Sequence, residues 1–499
     1  MCFFQENDCF SREGNDDDLD EGEIRKIIDK SLAKFLLVCN VPFVTTEKPY
    51  FIYFVETLIR YGHRIPNYKL PTPKTVSTTL LKEIHNDIES EKIKILADTD
   101  CVLQADGWKN SVTNRKLLVF SLTNFRVPLV YLTCMDTTGE REFGINLAKH
   151  FNSAIKVAED VYKARVKSTI TDKDSKIKCA AGAGNAETIG KELMTATCTS
   201  HSANRLLINM VDEEFETIVR SVIGKFRDPA IEKQLVERGG TKLKNYPDTR
   251  FCYFRDSCES IYTNISIMRD ISNDDNFNIQ QEICDIINGN EFKCEIEEVL
   301  SNFEPVCKLI NQCQDSKCNI ADATEMWLKL ELPTDKYDHL INERRQLGNA
   351  IHPVGCAANY LHPKYKGQLL DETQLESAQE FFRHFMDAQT LNELEDFEDD
   401  RDSYEYLAEN CSDPLAFWSL CKPYFPKLAE FARSILVIPA STARLESLFS
   451  EWTYVHNKYR NRLGELTSSQ LIDTYHYLNM TGPKHRRKSY RKRVRFDDD

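Results

Sequence analysis

Cys101–Asp136 reads CVLQADGWKNSVTNRKLLVFSLTNFRVPLVYLTCMD. Three runs in it, roughly Val102–Asp106, Lys116–Asn124 and Leu129–Met135, are rich in Val, Leu, Phe, Tyr and Thr and bounded by turn residues, which predicts three short meandering strands. The spacing puts a turn at Asp106-Gly107-Trp108, straight after the first strand. An ionised carboxylate at the end of a buried apolar strand loses its hydration unless something pairs with it. A metal ion, an Arg or a ring of backbone amides would do so. The plain alternative is that Asp106 opens an Asp-Gly turn and no more.

The chain beyond this stretch gives Asp106 a neighbour. Phe143–Arg165 carries Leu147, Ala148, Phe151, Ile155, Ala158 and Val161 at helical spacing. Val166–Thr171 reads as a short strand ending at Asp172, Ala180–Met194 as a helix, and Thr195–Thr199 as a last strand. Ser202–Phe226 reads as one amphipathic helix. The order β-β-β-α-β-α-β-α is that of an α/β fold with an RNase H-like mixed sheet, whose first and fourth strands are neighbours. Asp106 and Asp172 would then end side by side. Two carboxylates at one sheet edge repel each other, and Mg2+ or Mn2+, hard cations that prefer oxygen ligands, would relieve the repulsion.

Residues 227–430 show no further strand pattern and read as a large all-α insertion, with helices near Thr249–Asp270, Ile279–Ile287, Glu295–Gln312, Ala323–Leu330, Asp335–Ala350 and Glu372–Met386. After it comes ASTARLESLFSEW, in which Ser441 can cap a helix. Leu445, Leu448, Phe449 and Trp452 fall at i, i+3, i+4 and i+7 and form its buried stripe. Glu446 lies about 100° around from Leu445, on the flank of that stripe, where it can face either a neighbouring sheet edge or solvent. A final helix spans Ser468–Asn479. The expected organisation is a disordered acidic N-terminus (1–30), a helical N-terminal region (31–95), the first part of the sheet core (96–226), the insertion (227–430), the last core helices (431–480) and a basic disordered tail (481–499).

The 499 residues, 41% hydrophobic and 28% charged, suit a soluble chain of several domains. No run approaches the ~20 apolar residues of a membrane span, and the N-terminus lacks a secretory pattern. Seventeen cysteines without a small secreted framework point to reduced thiols. The net charge is −14, but its distribution is uneven. Lys484–Arg495 holds eight Lys or Arg in twelve positions, among them Lys484, Arg486, Arg487, Lys488, Arg491, Lys492 and Arg493. Such a block suits nuclear import or phosphate contact, and so a location in the nucleus.

Taken together, these stretches resemble the transposases of the hAT superfamily. FPKLAEFARSILVIPASTARLESLFS, followed by RNRLGELTSSQLIDTYHYLN, resembles that family's C-terminal dimerisation region. Ala105-Asp106-Gly107-Trp108 and Ile170-Thr171-Asp172 resemble the motifs of its two catalytic aspartates. Cys198-Thr199-Ser200-His201 resembles its C-x-x-H element, and Ala357–Lys366 a motif of its helical insertion. The resemblance implies that Asp106, Asp172 and Glu446 form a catalytic triad binding Mg2+ or Mn2+ for DNA strand cleavage and transfer. It further implies a structural or DNA-positioning role for Cys198, His201, Arg250 and Phe251, DNA (transposon ends or chromatin) as partner, and a homo-oligomer formed through the C-terminal region.

Departures from the family pattern support a second expectation. No BED-type zinc finger pattern precedes Asp106; Asp172 is followed by Lys173, which can compete with a metal; and Phe251 stands where the family carries tryptophan. A domesticated or inactive derivative would keep only dimerisation and DNA or chromatin binding. His352, Cys356 and His362 lack zinc-finger spacing and read as core or turn residues.

Overall fold

The computed structural model describes residues 20–65, 67–109, 115–124, 127, 129–140, 144–172, 192–244, 251–411, 413–455 and 465–482. The chain divides into two units, residues 1–76 with 478–499, and residues 77–477. In the first, helices α1 (Glu21–Val38) and α2 (Pro49–Tyr61) carry most of the structure, and the Tyr50 hydroxyl donates to the Leu478 carbonyl at 3.2 Å. Asp20 and Glu23 close a reciprocal capping box at the start of α1. That helix therefore begins inside the segment expected to be disordered, which corrects the 1–30 boundary.

The second unit is built on one five-stranded mixed sheet of order β3-β2-β1-β4-β5. Its strands are β1 (Asp100–Lys109), β2 (Lys116–Thr123), β3 (Val130–Asp136), β4 (Arg165–Thr171) and β5 (Met194–Thr197). β1 runs antiparallel to β2 and parallel to β4. The expected turn at Asp106-Gly107-Trp108 does not exist: β1 continues through it, with Asp106 opposite Val119 and Trp108 opposite Leu117. Tertiary packing overrides the local Asp-Gly signal here, because the Trp108 ring is drawn against two aromatic rings of a later helix.

Around the sheet lie α3 (Leu81–Leu96), α4 (Gly144–Lys156), α5 (Thr199–Met210) and α6 (Glu213–Phe226). α4 sets Phe151 edge-on against Phe120 of β2, ring centroids 5.1 Å apart. The single helix expected over Ser202–Phe226 is two: the chain leaves helical geometry at Val211, and Asp212 caps α6 by accepting from the Phe215 N–H at 2.9 Å. The helix expected over Ala180–Met194 lies outside the described residues apart from Glu192, Leu193 and Met194, none of which is helical; Met194 is the first residue of β5.

From Pro229 to Cys421 the named elements among the described residues are helices, with α7 (Pro229–Glu237), α8 (Tyr253–Ser272), α9 (Gln281–Asn288), α10 (Asn290–Cys313) and α11 (Ile320–Lys329) followed by α12 (Asp338–Arg345), α13 (Pro353–Leu361) and α14 (Glu372–Phe385), then α15 (Ala388–Asp399), α16 (Glu405–Asn410) and α17 (Pro414–Cys421). One continuous apolar core runs from Val102 and Ile170 of the sheet through α5 and α6 into these helices. The chain then returns to the sheet through α18 (Pro426–Leu436), α19 (Ala443–Val455) and α20 (Glu465–Thr481). Leu445, Leu448, Phe449, Trp452 and Val455 of α19 pack on Leu117, Val119 and Tyr131 of the sheet, on Leu129 just before β3 and on Ile472 of α20.

The same region holds a buried charge. Lys92 of α3, 1% exposed, places its Nζ 2.5 Å from Asp473 Oδ2, 2.8 Å from Glu89 Oε1 and 3.1 Å from the Tyr131 carbonyl. His85 adds Nε2 at 3.1 Å from Asp473. This network ties α3, β3 and α20 together across nearly the whole length of the chain.

Candidate active site

Two adjacent strands deliver the first two acids. The parallel register pairs Ala105 with Thr171, so the next residue along each strand is an aspartate, Asp106 on one and Asp172 on the other. Asp106 is 8% exposed, and the Gly107 N–H donates to its Oδ1 at 2.8 Å. Burial pushes its pKa up to about 7; the Glu446 and Asp172 carboxylates push the same way, against the pull of His201 and the Gly107 amide.

The third acid arrives on α19. Trp108 stacks on Phe449 with centroids 6.1 Å apart and tilts against Trp452 at 5.9 Å, seating α19 across the end of β1. With that face buried, Glu446 on its flank stands beside His201 of α5, its side chain about one third exposed. Its Oε1 is buried and has no hydrogen-bond partner among the described residues. Burial raises its pKa, and Asp172 adds to the rise against the opposing pull of His201.

His201, in the first turn of α5, stands among these groups. Its Nε2 lies 3.7 Å from Glu446 Oε1 and 4.0 Å from Asp172 Oδ2. Burial alone would lower the imidazole pKa, but the Cys198 sulfur and the Asp172 and Asp106 carboxylates outweigh it and hold it up, to about 10. The ring is therefore an imidazolium at neutral pH, a cation held between carboxylates. Arg205, one turn further along α5, brings its Nη2 to 3.7 Å from Asp172 Oδ1. Arg205 falls in none of the sequence motifs, although its i, i+4 spacing from His201 puts both on one helix face.

Cys198, expected to have a structural or DNA-positioning role, lies at the end of β5. It is fully buried. Its N–H donates to the Thr171 carbonyl at 2.8 Å, its Sγ accepts from the Thr442 N–H at 3.3 Å, and the next amide, Thr199, donates to the Ala440 carbonyl at 2.9 Å. Those bonds join the end of β4 to the segment that starts α19, which fixes Asp172 and Glu446 relative to each other. Phe251 meets the His201 ring edge-on at 5.2 Å. Arg250, Lys173 and the basic stretch Lys484–Arg495 lie outside the described residues.

A cleft of about 370 Å3 opens beside Glu446, lined by Phe251, Cys252, Arg255, Glu304, Asn311 and Gln314, among others. A larger cavity, about 680 Å3, is lined by Thr123, Asp322, His362, Tyr365 and Arg444, and none of the three acids reaches it. His352, Cys356 and His362 are buried, as core residues are.

Three carboxylates, one of them buried at a raised pKa and another with an unpartnered oxygen, are the donor type a hard divalent cation takes, but the triad is not a set whose ligand oxygens lie within 4.8 Å of one another. Among the described residues, the acidic and histidine ligand atoms that gather within 4.8 Å of one another are those of His85, Glu89 and Asp473. There the Lys92 ammonium already supplies the cation.

Residues 389–478 match the hAT family C-terminal dimerisation region, a span running from α15 into α20 and including Glu446. Two curated proteins of Zea mays, named AC transposase and AC9 transposase, are each 32% identical to this chain over 108 residues, 21% of this chain and 13% of theirs. The chain thus matches only about an eighth of the length of these relatives. No described helix is long and apolar enough to cross a membrane, and the matched region supports self-association. The chain thus carries a match to the hAT family C-terminal dimerisation region and is similar to these transposases over about a fifth of its length.

Proposed function

We propose that this chain cuts and joins DNA strands as a DDE-type transposase with an RNase H-like core, working as a dimer or larger oligomer on transposon ends in the nucleus. The observation that carries this reading is the grouping of Asp106, Asp172 and Glu446, from β1, β4 and α19, around His201. Bound Mg2+ or Mn2+ would supply Lewis acidity to the attacking and departing oxygens of an in-line displacement at phosphorus. Asp106 and Asp172 would hold the ions from the sheet edge and Glu446 from the facing helix. Cys198 would fix the spacing between them, and the Trp108 stack would keep α19 from rotating Glu446 away. His201 and Arg205 would offer positive charge to the DNA backbone once the carboxylates hold metal.

The test is Mn2+-dependent nicking of linear and hairpin DNA by the purified chain. Activity abolished by Asp106→Ala, Asp172→Ala and Glu446→Ala alike, with folding intact, supports the reading; activity that survives Glu446→Ala overturns it.

A second reading rests on His201. An imidazolium held within 4.0 Å of two carboxylates, together with Arg205 at 3.7 Å from one of them, balances their charge without metal, as a domesticated derivative that binds DNA or chromatin and dimerises would need. In that case no nicking occurs with any divalent ion, and DNA binding is unchanged by chelator.

A further inference from the structure

We propose that helices α1 and α2 form an interface with a second copy of this chain, whose own α1 and α2 cover theirs about a two-fold axis. This interface deepens the reading of the chain as a dimer or larger oligomer, on which it rests, by adding a surface outside the matched region 389–478.

Twenty of the thirty-one large apolar side chains that stand exposed among the described residues fall between Ile24 and Val76. On α1, Ile24, Ile27, Ile28 and Phe35 recur at i, i+3, i+4 and i+11, a single stripe, and all four are exposed. No residue of α2, PYFIYFVETLIRY, is buried. Its exposed Ile52, Tyr53, Phe54 and Val55 are consecutive, so they point to four sides of the helix at steps of about 100°. A helix that is apolar all round belongs in a core, and no described helix is long and apolar enough to find one by crossing a membrane.

The area suits a stable pair of chains. Tyr50, Tyr53, Phe54 and Tyr61 are 46–67% exposed. A ring side chain buries ~150–250 Å2 when covered, so these four offer about 400 Å2, half of the ~800 Å2 that each partner contributes to a stable complex. The exposed aliphatic side chains of α1 and α2 carry the face past that mark. A patch of this size is rare on a chain that works alone.

Two features favour a second copy over a foreign protein. The face runs on from the matched dimerisation region. The Tyr50 hydroxyl donates to the carbonyl of Leu478, the last matched residue, at 3.2 Å, and a Cβ on Gly482 would come within 2.7 Å of that hydroxyl, so α2 lies tight against the end of α20. In addition, α2 offers a foreign partner little charge to read, since Glu56 and Arg60 are its only charged residues. They are opposite in sign, so an antiparallel pair of α2 helices centred near Leu58 sets each Glu56 against the Arg60 of the other copy, and the surface is complementary to itself.

The experiment follows self-association of the full chain by sedimentation velocity over a concentration series, without DNA or metal. Tyr53→Glu and Ile59→Glu are combined, at positions 67% and 75% exposed. The double variant should associate roughly 100-fold more weakly than the wild type, as for the loss of two interface anchors. Val236→Glu with Leu369→Glu, also at exposed apolar positions, should leave association unchanged. Hydrogen exchange in the wild-type chain needs no variant: it should slow over 49–61 as concentration rises through the association midpoint, and stay constant over α8. Association as tight in the α2 variant as in the wild type would overturn the proposal. So would exchange over 49–61 that ignores concentration, which marks a cover from the same chain, or a variant that loses only binding to phosphatidylcholine vesicles, which marks a lipid cover. A monomeric wild-type chain would sink the oligomer as well, whereas an oligomer untouched by the α2 variant would leave self-association through 389–478 standing.

Discussion

Asp106 is held where its charge is least welcome. A carboxyl whose folded pKa, about 7, lies above its unfolded value binds a proton in the native state that the unfolded chain releases. Its stabilising effect is complete in acid and is lost as pH rises from about 4 through 7. Asp106→Asn, which removes the charge, should therefore raise the thermal midpoint in chelator at pH 8, by the equivalent of at most about 4 kcal/mol. The gain should vanish at pH 4, and a lower midpoint for Asp106→Asn at pH 8 would refute this account. Lys92 presents the opposite case. Burial pulls the Asp473 pKa up, but His85 and Lys92 pull it down and prevail. The pairing is fully stabilising above the ordinary carboxylate range and is lost as pH falls through the depressed value. Lys92→Met should cost roughly 3–5 kcal/mol in urea denaturation at pH 7, because it strands a buried carboxylate. Adding Asp473→Leu should restore most of that loss; a double variant as unstable as the single one would count against the pairing. The three acids were legible in the sequence through their motifs. His201 as the cation among them, and the Lys92 pair, were not, since residues so far apart in the chain carry no local sign of contact.

Strands and helices show the same division between local and distant signals. The meander, the neighbouring β1 and β4, and the apolar stripe of α19 follow from periodicity, which tertiary packing reinforces. The length of β1 does not. An Asp-Gly pair reads as a turn, and only the aromatic seat offered by Phe449 and Trp452 shows why the strand carries on to Lys109. The break between α5 and α6 could have been found, because Asp212-Glu213-Glu214-Phe215 is an N-cap followed by an acidic first turn; continuous amphipathicity concealed it. If Trp108 seats α19, Trp108→Ala should cost about 2 kcal/mol, less than a fully buried tryptophan because the ring is half-buried. It should also loosen Glu446, seen as faster hydrogen exchange over 443–455 than over β4. Equal exchange in the two segments would mean that Cys198 and the α20 contacts hold the helix without the stack.

For the whole chain, charge poses the question that the fold leaves open. The net charge is −14 even with the basic stretch Lys484–Arg495 included, so the rest of the chain is more acidic still. An acidic body repels a polyanion, and DNA binding by such a chain needs cations concentrated in one place. The eight Lys and Arg of that stretch are the densest such concentration in the sequence. Each phosphate neutralised releases counterions and contributes about −0.9 to the slope of log affinity against log salt on duplex DNA. Removing residues 484–499 should therefore weaken binding to all duplexes alike and flatten that slope by several units, up to about 7 if every cation meets a phosphate. The elution volume on size exclusion should still report an oligomer, because the dimerisation region at 389–478 is untouched. A slope unchanged by the deletion would mean that the phosphates are met elsewhere, on the α5 face of His201 and Arg205 or on residues outside those described. The stretch would then serve nuclear import, and its loss would show as cytoplasmic retention with DNA affinity intact.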